Sequence, residues 1–171
     1  MTDDSRQERV YSFAPILGEE PILLILGSMP SVLSLETGRY YGNERNDFWR
    51  LVSAVLEEPY MEIYEKRVAM LIRRRVALWD SMRSCVRPGS LDKNIKEEEP
   101  NDIAMLLYEN PTIHTVAFNG QMAEKMYFKY KKASCEVEYI SLPSSSPVPR
   151  RNVKSFEDKL RVWLSLRHIL K

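Results

Sequence analysis

The chain has 171 residues, of which 44% are hydrophobic and 29% charged, so it is long enough to bury a substantial core. We expect one domain over residues 1–171. The formal net charge of only +1 does not by itself indicate a nucleic-acid partner, although a local basic face is compatible with it. The longest apolar run, Pro21 to Gly27, is too short to cross a bilayer, and the polar, acidic first residues have no signal-peptide pattern. We therefore expect a cytoplasmic protein without a membrane partner.

The predicted elements alternate between strands and helices. Ile22–Leu26 is a short apolar run between a proline and a glycine, as in a buried parallel strand. The later predicted elements, in chain order, are helices over Phe48–Leu56 and Tyr60–Arg75, a strand over Val76–Trp79, a helix that begins at Asn101 or Asp102, a strand in "HTVAFNG", a helix in "QMAEKMYFKYKK", a strand in "CEVEYISLPS" and an amphipathic helix in "FEDKLRVWLSLRHIL". Strands separated by helices predict an α/β fold with a parallel sheet covered on both faces.

The unusual residues of the sequence lie where the predicted strands end. Ligand sites of parallel sheets lie beyond the carboxyl ends of the strands. Four predicted loops meet there: "GSMPS" to "YYGNERN", "DSMRSCVRPGS", "NGQ" and "PSSSPVPRR". These loops carry small, amide and aromatic residues, and this composition predicts one composite site.

The motifs disfavour several kinds of site. The single glycine and Pro30 of "LGSMPS" do not match a dinucleotide-binding turn, and no GxxxxGK phosphate loop occurs. Cys85 and Cys135 are too far apart for a zinc or iron–sulfur spacing. His114 and His168 lie outside the four loops, which argues against a Ser-His-Asp hydrolase. These motifs therefore give no sign of a metal site or of a nucleotide-phosphate loop.

The composition of the four loops suits recognition of a planar polar ring. Aromatic side chains stack on the faces of such a ring, amides or carboxylates read its edge, and a positioned asparagine can hold a water molecule for attack. In the last loop, serine hydroxyls, main-chain N–H groups, Arg150 and Arg151 can hold phosphates. A rigid, proline-bounded loop with solvated arginines is the structural alternative.

Five segments of the sequence together carry a resemblance to a known family. "LILGSMPS", "YYGNERNDFW", "ALWDSMRSCVRPGSLD", "FNGQMAEK" and "LPSSSP" occur in this order between about Phe13 and Leu166. The combination resembles the hypoxanthine-DNA glycosylase (DNA-deoxyinosine glycosylase) branch of the uracil-DNA glycosylase superfamily. The resemblance implies a three-layer α/β/α sandwich with a four-stranded parallel sheet. It also implies hydrolysis of the N-glycosidic bond of a deaminated base in DNA, without a metal or a redox cofactor, leaving an abasic site.

The resemblance assigns the attacking water to Asn46. The first loop of most of the superfamily carries an Asn or Asp just after its glycine, whereas "GSMPS" carries neither here. The hypoxanthine branch resembles this chain, and its catalytic asparagine lies in an N-x-F-W segment, which places it at Asn46. An amide is a poor base, but a dissociative, oxocarbenium-like transition state asks little of its base. The alternative role of Asn46 is the N-cap of the helix that follows, a position that Asp47 could fill instead.

Five further residues are candidates for binding the base. Gly27 and Ser28 can bring main-chain N–H groups to a base carbonyl. Tyr40 or Tyr41 resembles the aromatic wall of the family's pocket; strand-like alternation would direct one of the pair into the core, and we take Tyr41 as the candidate for the wall. We expect Phe48 and Trp49 in the core. The last two candidates are Asp80 and Asn119.

Asp80 and Asn119 end two of the predicted strands. An ionised Asp80 could accept the N–H of hypoxanthine or of uracil, so it does not settle the substrate; the alternative is a structural bond to the "RPGS" turn. Asn119 could pair with the O6 and N1–H edge of hypoxanthine; the alternative is a turn residue.

The last loop departs most from the family. Many relatives carry His-Pro-Ser-Pro and a leucine wedge where this chain has Ser144-Ser145-Ser146-Pro147-Val148. The absent histidine weakens the case for uracil excision, and the group that assists departure of the purine is not identified by the sequence. We expect Ser144, Ser145, Ser146 and Arg150 to contact DNA and Val148 to act as a small wedge.

Three functions stay open at this point. The first is a monofunctional hypoxanthine-DNA glycosylase, which acts as a monomer on DNA that contains a deaminated base. The second is a uracil or mismatch-specific glycosylase, and the third is a catalytically weak DNA-damage-binding module. Lyase chemistry is disfavoured, since the four loops carry no lysine apart from Lys93 just beyond "GSLD".

Overall fold

The computed structural model describes residues 7–131, 134, 136–148 and 155–171. In chain order its strands and helices are β1 (Arg9–Tyr11), β2 (Leu23–Gly27), α1 (Val32–Thr37), α2 (Phe48–Val55), α3 (Tyr64–Arg73), β3 (Val76–Asp80), β4 (Met82–Val86), a 3-10 helix (Asp92–Asn94), β5 (Lys96–Pro100), α4 (Ile103–Glu109), β6 (Thr115–Asn119), α5 (Gln121–Tyr130), β7 (Glu138–Leu142), α6 (Phe156–Trp163) and a second 3-10 helix (Leu164–His168).

The central sheet has four parallel strands in the order β3-β2-β6-β7. Its middle strand β2 pairs with β3 on one side, where Gly27 lies opposite Asp80, and with β6 on the other. Because all four strands run in the same direction, their carboxyl ends share one edge of the sheet. The predicted four-stranded parallel sheet is confirmed.

Helices cover both faces of this sheet. Leu23 and Ile25 of β2 belong to a core cluster with side chains of α2, α3 and α6. Leu24 and Leu26 point the other way, into a cluster with side chains of α4 and α5. All four leucine and isoleucine side chains are fully buried, which stabilises the fold by about 1.5–3 kcal/mol for each. The alternation explains why the apolar run is continuous, and the three-layer α/β/α architecture is confirmed.

A second sheet corrects the sequence prediction. Strands β1, β4 and β5 form a three-stranded antiparallel sheet, with β4 in the middle. The segment Met82–Val86, predicted as part of a loop, is therefore strand, and only Ser81 separates it from β3. The sequence signal was weak because β1 has three residues and because β5 reads "KEEEP", whose residues have low strand propensity.

Helix α1 was also missed by the prediction. It begins two residues after Pro30, where the Ser31 hydroxyl caps it by accepting a hydrogen bond from the Ser34 N–H at 3.2 Å. It ends at Gly38, whose φ of 65° lies in the left-handed region. Six residues are too few for a helical period to be visible in the sequence.

The start of α4 decides between the two predicted caps. The Asp102 carboxylate accepts the Met105 N–H at 3.0 Å, so Asp102 is the N-cap. Asn101 instead donates from Nδ2 to the carbonyls of Asp80 and Met82, and thereby joins the two sheets. The amphipathic terminal helix proves to be α6 followed by a 3-10 turn. Within the described ranges, no helix is long and apolar enough to cross a membrane.

Candidate active site

A pocket of about 190 Å³ lies at the carboxyl edge of the parallel sheet. All five motif segments contribute to its wall. Its polar lining includes residues from the first loop, from the ends of β3 and β6, from the segment after β4 and from the last loop: Gly27, Ser28, Tyr41, Asn43, Asn46, Asp80, Ser90, Asp92, Asn119, Ser144, Ser145 and Ser146. The predicted composite site therefore corresponds to one cavity.

Asn46 lies in the pocket wall immediately before α2. Its Oδ1 accepts a hydrogen bond from the Phe48 N–H at 2.9 Å, so the side chain also caps the helix. Because a main-chain N–H can only donate, this bond fixes which end of the amide is oxygen. One lone pair of Oδ1 stays available to a water molecule. Capping and water orientation, posed as alternatives by the sequence, are compatible.

Asp47 occupies the N-cap position of α2 without a side-chain bond to the helix. Its carboxylate pairs instead with Lys159 Nζ of α6 at 2.9 Å and with Arg50 at 3.2 Å. Lys159 is only 5% exposed and also donates to the Ser146 carbonyl at 3.4 Å. Since the Asp47 N–H donates to the Ser145 carbonyl at 3.0 Å, the first and last loops are joined beside Asn46.

Tyr41 forms one wall of the pocket. Its backbone has a φ of 52°, a left-handed conformation that costs a non-glycine residue on the order of 1 kcal/mol. Its ring stacks on Phe48, with centroids 4.0 Å apart. Tyr40 packs inward, where its hydroxyl donates to the Ala14 carbonyl at 2.7 Å. Phe48 and Trp49 are buried, so the predicted division between wall and core agrees with the structure.

Asn119 is 8% exposed and its amide is bonded within the protein. Oδ1 accepts the Ser145 N–H at 2.9 Å, while Nδ2 donates to Tyr41 Oη at 2.9 Å and to Ser145 Oγ at 2.8 Å. Both amide protons are used, so a base edge could meet only the second lone pair of Oδ1. The same bonds leave the hydroxyl protons of Tyr41 and Ser145 available to a ligand.

Asp80 ends β3 in the pocket wall and is 4% exposed. Its Oδ2 is buried and has no hydrogen-bond partner among the described residues. No hydrogen bond joins the Asp80 carboxylate to the Arg87–Ser90 turn, whose four residues are all described, so the structure lends no support to a structural bond between them. Burial, and then the negative charge of Asp92, raise the pKa of the Asp80 carboxyl to about 7, while the Arg87 charge opposes the shift. An ionised Asp80 that only accepts a hydrogen bond is therefore one of two forms, because a carboxyl with this pKa also carries its proton near neutral pH.

The absence of a side chain at Gly27 makes room for the Asp80 carboxylate and the Tyr41 hydroxyl. A Cβ atom at Gly27 would lie 2.6 Å from Asp80 Oδ1 and 2.8 Å from Tyr41 Oη, closer than side chains tolerate. The carboxylate and the phenol therefore converge above the Gly27 backbone. Ser28 beside it donates from Oγ to Asp92 Oδ1 at 2.9 Å, which ties the first loop to the 3-10 helix.

Arg87 binds the first loop, which contains Gly27 to Pro30, through its guanidinium group. Its side chain is largely buried and donates to the carbonyls of Gly89 and Pro30. Its Nη1 is buried without a hydrogen-bond partner in the described part of the chain. The guanidinium thus holds the turn after β4 against the first loop and places a positive charge near Asp80.

The last loop closes the pocket with Ser144–Val148. Ser145 is fully buried and its N–H bonds Asn119, so this residue supports the wall and does not present its N–H outward. Ser144 and Ser146 are half-buried and accept the N–H groups of the residues two further on. Val148 lines the mouth. Arg150 lies outside the described residues.

Sequence reasoning missed Asp92, Arg87 and Lys159. The first two lie inside the quoted motif "ALWDSMRSCVRPGSLD", so the motif marked the region without indicating their roles. Lys159 gave no signal, because one lysine in an amphipathic helix looks like a solvated residue. Among the residues that the structure describes, no group of three or more His, Cys, Asp or Glu side chains is arranged to hold a metal ion.

The fold and the pocket define a class: a three-layer α/β/α protein whose polar, aromatic-walled cavity lies at the carboxyl edge of a parallel sheet. A family model described as the uracil DNA glycosylase superfamily matches residues 15–167. The chain therefore belongs to the uracil DNA glycosylase superfamily.

Similar proteins agree with this family. The chain is 38% identical over 148 residues to a hypoxanthine DNA glycosylase of Methanosarcina acetivorans, a match over 86% of this chain and 92% of the relative. It is 35% identical over 144 residues to a hypoxanthine DNA glycosylase of Methanosarcina barkeri, over 84% and 90% of the two chains. A solution NMR structure of a candidate uracil DNA glycosylase from Methanosarcina acetivorans superposes with a TM-score of 0.79 at 35% identity, over 96% of this chain and 100% of that one.

Proposed function

We propose that the protein is a monofunctional DNA glycosylase that hydrolyses the N-glycosidic bond of hypoxanthine in DNA and leaves an abasic site. The observation that carries the proposal is the convergence of all five motif segments on one pocket. The substrate rests on the two relatives, which are named hypoxanthine DNA glycosylases. A base must leave the helical stack to enter such a pocket, so the protein flips its target nucleotide.

Asn46 orients the attacking water in this proposal. The Phe48 N–H holds Asn46 Oδ1 in place, and the free lone pair accepts a hydrogen bond from water. A dissociative transition state develops positive charge on the sugar before the water attacks. Position therefore matters more than basicity, and loss of the amide should lower the rate by about 10²-fold or more.

The base lies against the Tyr41 wall above Gly27 and Ser28. Asn119 acts as a positioning residue, because its Nδ2 bonds fix the Tyr41 and Ser145 oxygens and leave their hydroxyl protons directed elsewhere. This role replaces direct recognition of the base edge by both ends of the Asn119 amide.

The last loop and α1 form the DNA-facing rim. We assign Ser144, Ser146 and Arg150 to the phosphates, and Val148 to the wedge that holds the base out. Val32 and Leu33 of α1 also line the mouth and are 38% and 46% exposed, so they offer a second apolar contact to the opened stack. A monomer and a cytoplasmic location complete the proposal.

Monofunctional hydrolysis fits the position of the lysines. Of the described lysines, Lys159 is held by Asp47 and Ser146, and Lys93 lies in a neighbouring cavity. Neither lines the pocket, so neither can attack the sugar to form a Schiff base.

The test uses labelled duplexes with one deoxyinosine, one deoxyuridine or neither, followed by alkali to cleave abasic sites. We expect cleavage only at deoxyinosine and only after alkali. Cleavage only at deoxyuridine would reassign the substrate to uracil. Binding to deoxyinosine duplexes without cleavage would contradict the proposed glycosylase activity and support a damage-binding module.

Two variants of Asn46 separate chemistry from folding. Asn46→Ala removes both the amide and the helix cap, whereas Asn46→Ser keeps an oxygen that can accept the Phe48 N–H. Both should lose excision, while Glu109→Gln, on the exposed surface of α4, should keep it. Full activity of Asn46→Ser would refute the water-orienting role.

A further inference from the structure

A departing purine must be stabilised, and the pocket offers few groups that can do so. Of the described residues in its wall, none is histidine, lysine or arginine. The titratable side chains there are Tyr40, Tyr41, Asp80 and Asp92. The described wall therefore has no basic side chain in place of the histidine that the resemblance led us to look for.

Two of the four titratable groups hold their protons tightly. Burial, and then the Asp80 charge, raise the pKa of Tyr40 and of Tyr41 well above the usual phenol range. Tyr40 is also bonded to the Ala14 carbonyl. Asp92 accepts a hydrogen bond from Ser28. None of these three side chains combines a buried position with an unpartnered acidic oxygen in the way that Asp80 does.

Asp80 has the geometry of a group awaiting a ligand. Its carboxylate is nine-tenths buried, lines the pocket and leaves Oδ2 without a hydrogen bond among the described residues. Buried polar atoms without partners are rare in native structures, and each needs an explanation. A base in the pocket would supply the missing partner.

We infer that Asp80 is the general acid of the reaction and gives its proton to hypoxanthine as the N-glycosidic bond breaks. The inference rests on the proposed function and adds the group that assists base departure. It differs from an ionised Asp80 that only accepts the base N–H. The acid role requires the protonated carboxyl, whereas the acceptor role requires the carboxylate.

The step balances without a further reactant. The O–H bond of the Asp80 carboxyl breaks, and its proton forms an N–H bond with an acceptor nitrogen of the purine. The electron pair of the C1′–N9 bond goes to the purine, which leaves as neutral hypoxanthine. The water at Asn46 forms the C1′–O bond and releases a proton to solvent, and solvent returns a proton to the Asp80 carboxylate.

The surroundings of Asp80 favour this use. Burial and the Asp92 charge disfavour its ionised form and raise the pKa of its carboxyl to about 7. The Arg87 charge opposes the rise of this pKa, so the acid can still release its proton. Tyr40 and Tyr41 face the same carboxyl as neutral phenols. The protonated fraction is therefore substantial at neutral pH and small at alkaline pH.

The experiment measures single-turnover excision from a deoxyinosine duplex with enzyme in excess, from about pH 5.5 to about pH 8.5. The variants are wild type, Asp80→Asn and Glu109→Gln. We expect the wild-type rate to fall by about tenfold per pH unit above its midpoint, and Asp80→Asn to lose about 10²-fold at low pH and show no such fall. Glu109→Gln should follow wild type.

The sign of the pH dependence decides between the two roles of Asp80. A wild-type rate that rises with pH, and flattens in Asp80→Asn, would assign the acceptor role and overturn the acid. Wild-type speed in Asp80→Asn would overturn both. Asparagine has the shape of aspartate and keeps a hydrogen-bond donor, so its loss of rate reports proton transfer.

Asp92→Asn tests the inference with the acid still in place. Removal of the neighbouring charge should move the falling limb to lower pH, and an unmoved limb would contradict the inference. If wild type excises no base at any pH, the proposed function itself fails. Excision whose rate does not change with pH would refute the general-acid role of Asp80 and leave the proposed function standing.

Discussion

The buried carboxyl of Asp80 should make the folding stability depend on pH. Its folded pKa of about 7 lies above the ordinary value of 3.8. The folded state therefore binds this proton more tightly than the unfolded state, and the free energy of unfolding falls as the pH rises from about 4 through about 7. Asp80→Asn removes the titration without changing the shape of the side chain, so the variant lacks this loss.

The magnitude follows from the size of the shift. Each unit of pKa corresponds to about 1.4 kcal/mol, so a rise from 3.8 to about 7 is worth on the order of 4 kcal/mol. We expect Asp80→Asn to gain up to about 4 kcal/mol relative to wild type between about pH 4 and about pH 8. Below that window the two proteins should have similar stability, because Asp80 is then protonated in both states of the wild type.

Urea unfolding followed by circular dichroism at the two pH values measures the difference. Other carboxyl groups titrate equally in both proteins and cancel. Glu109→Gln, an exposed carboxylate on α4, should track wild type at both values. The reasoning is refuted if the difference between Asp80→Asn and wild type changes by less than about 0.5 kcal/mol over the window.

Substitutions at three further places test the architecture of the pocket: at Asn46, at the Lys159–Asp47 ion pair and at Gly27. Asn46→Ala should lower the free energy of unfolding by about 1 kcal/mol in urea melts and Asn46→Ser by less, because serine can still cap Phe48; equal losses would refute the capping role. Lys159→Met should lower the free energy of unfolding by about 2 kcal/mol, because it leaves the partly buried Asp47 carboxylate without its lysine. In a double-mutant cycle with Asp47→Asn, the two losses of stability should not add. Additive losses would show that the two side chains are not coupled. Gly27→Ala should lower the free energy of unfolding by about 1–3 kcal/mol in urea melts and abolish deoxyinosine excision, because the added methyl group collides with the Asp80 carboxylate and the Tyr41 phenol. An active variant of wild-type stability would contradict this geometry.

The sequence located the main elements because their signals are local. Ile22–Leu26 is apolar without interruption, and the structure forms β2 one residue later, over Leu23–Gly27, with Leu23 to Leu26 fully buried on both faces. The second sheet was missed for the complementary reason. Its edge strand "KEEEP" has no apolar alternation, and its pairing with β4 depends on contacts from elsewhere in the chain.

For the candidate site too, the sequence predicted which residues meet but not how they are bonded. Gly27, Asp80 and Asn119 lie at the ends of predicted strands, and the rule that parallel strands share a carboxyl edge was enough to expect them in one cavity. Asn46 lies in the long loop after the first of these strands, just before a predicted helix. Their hydrogen-bond partners could not be expected. The Asn119 amide bonds Tyr41, which lies 78 residues away in the sequence, and these bonds change its role from reading a base to positioning the wall.

What the sequence determined by itself is therefore the fold class, the edge of the sheet that carries the site and the residue types gathered there. Apolar periodicity and turn residues act within a segment, so a segment carries that information alone. Folding alone brings Lys159 to Asp47 across 112 residues and leaves one Asp80 oxygen without a hydrogen bond to any described residue. Desolvation and hydrogen bonding depend on which distant groups folding brings together, and these same effects set the pKa of Asp80.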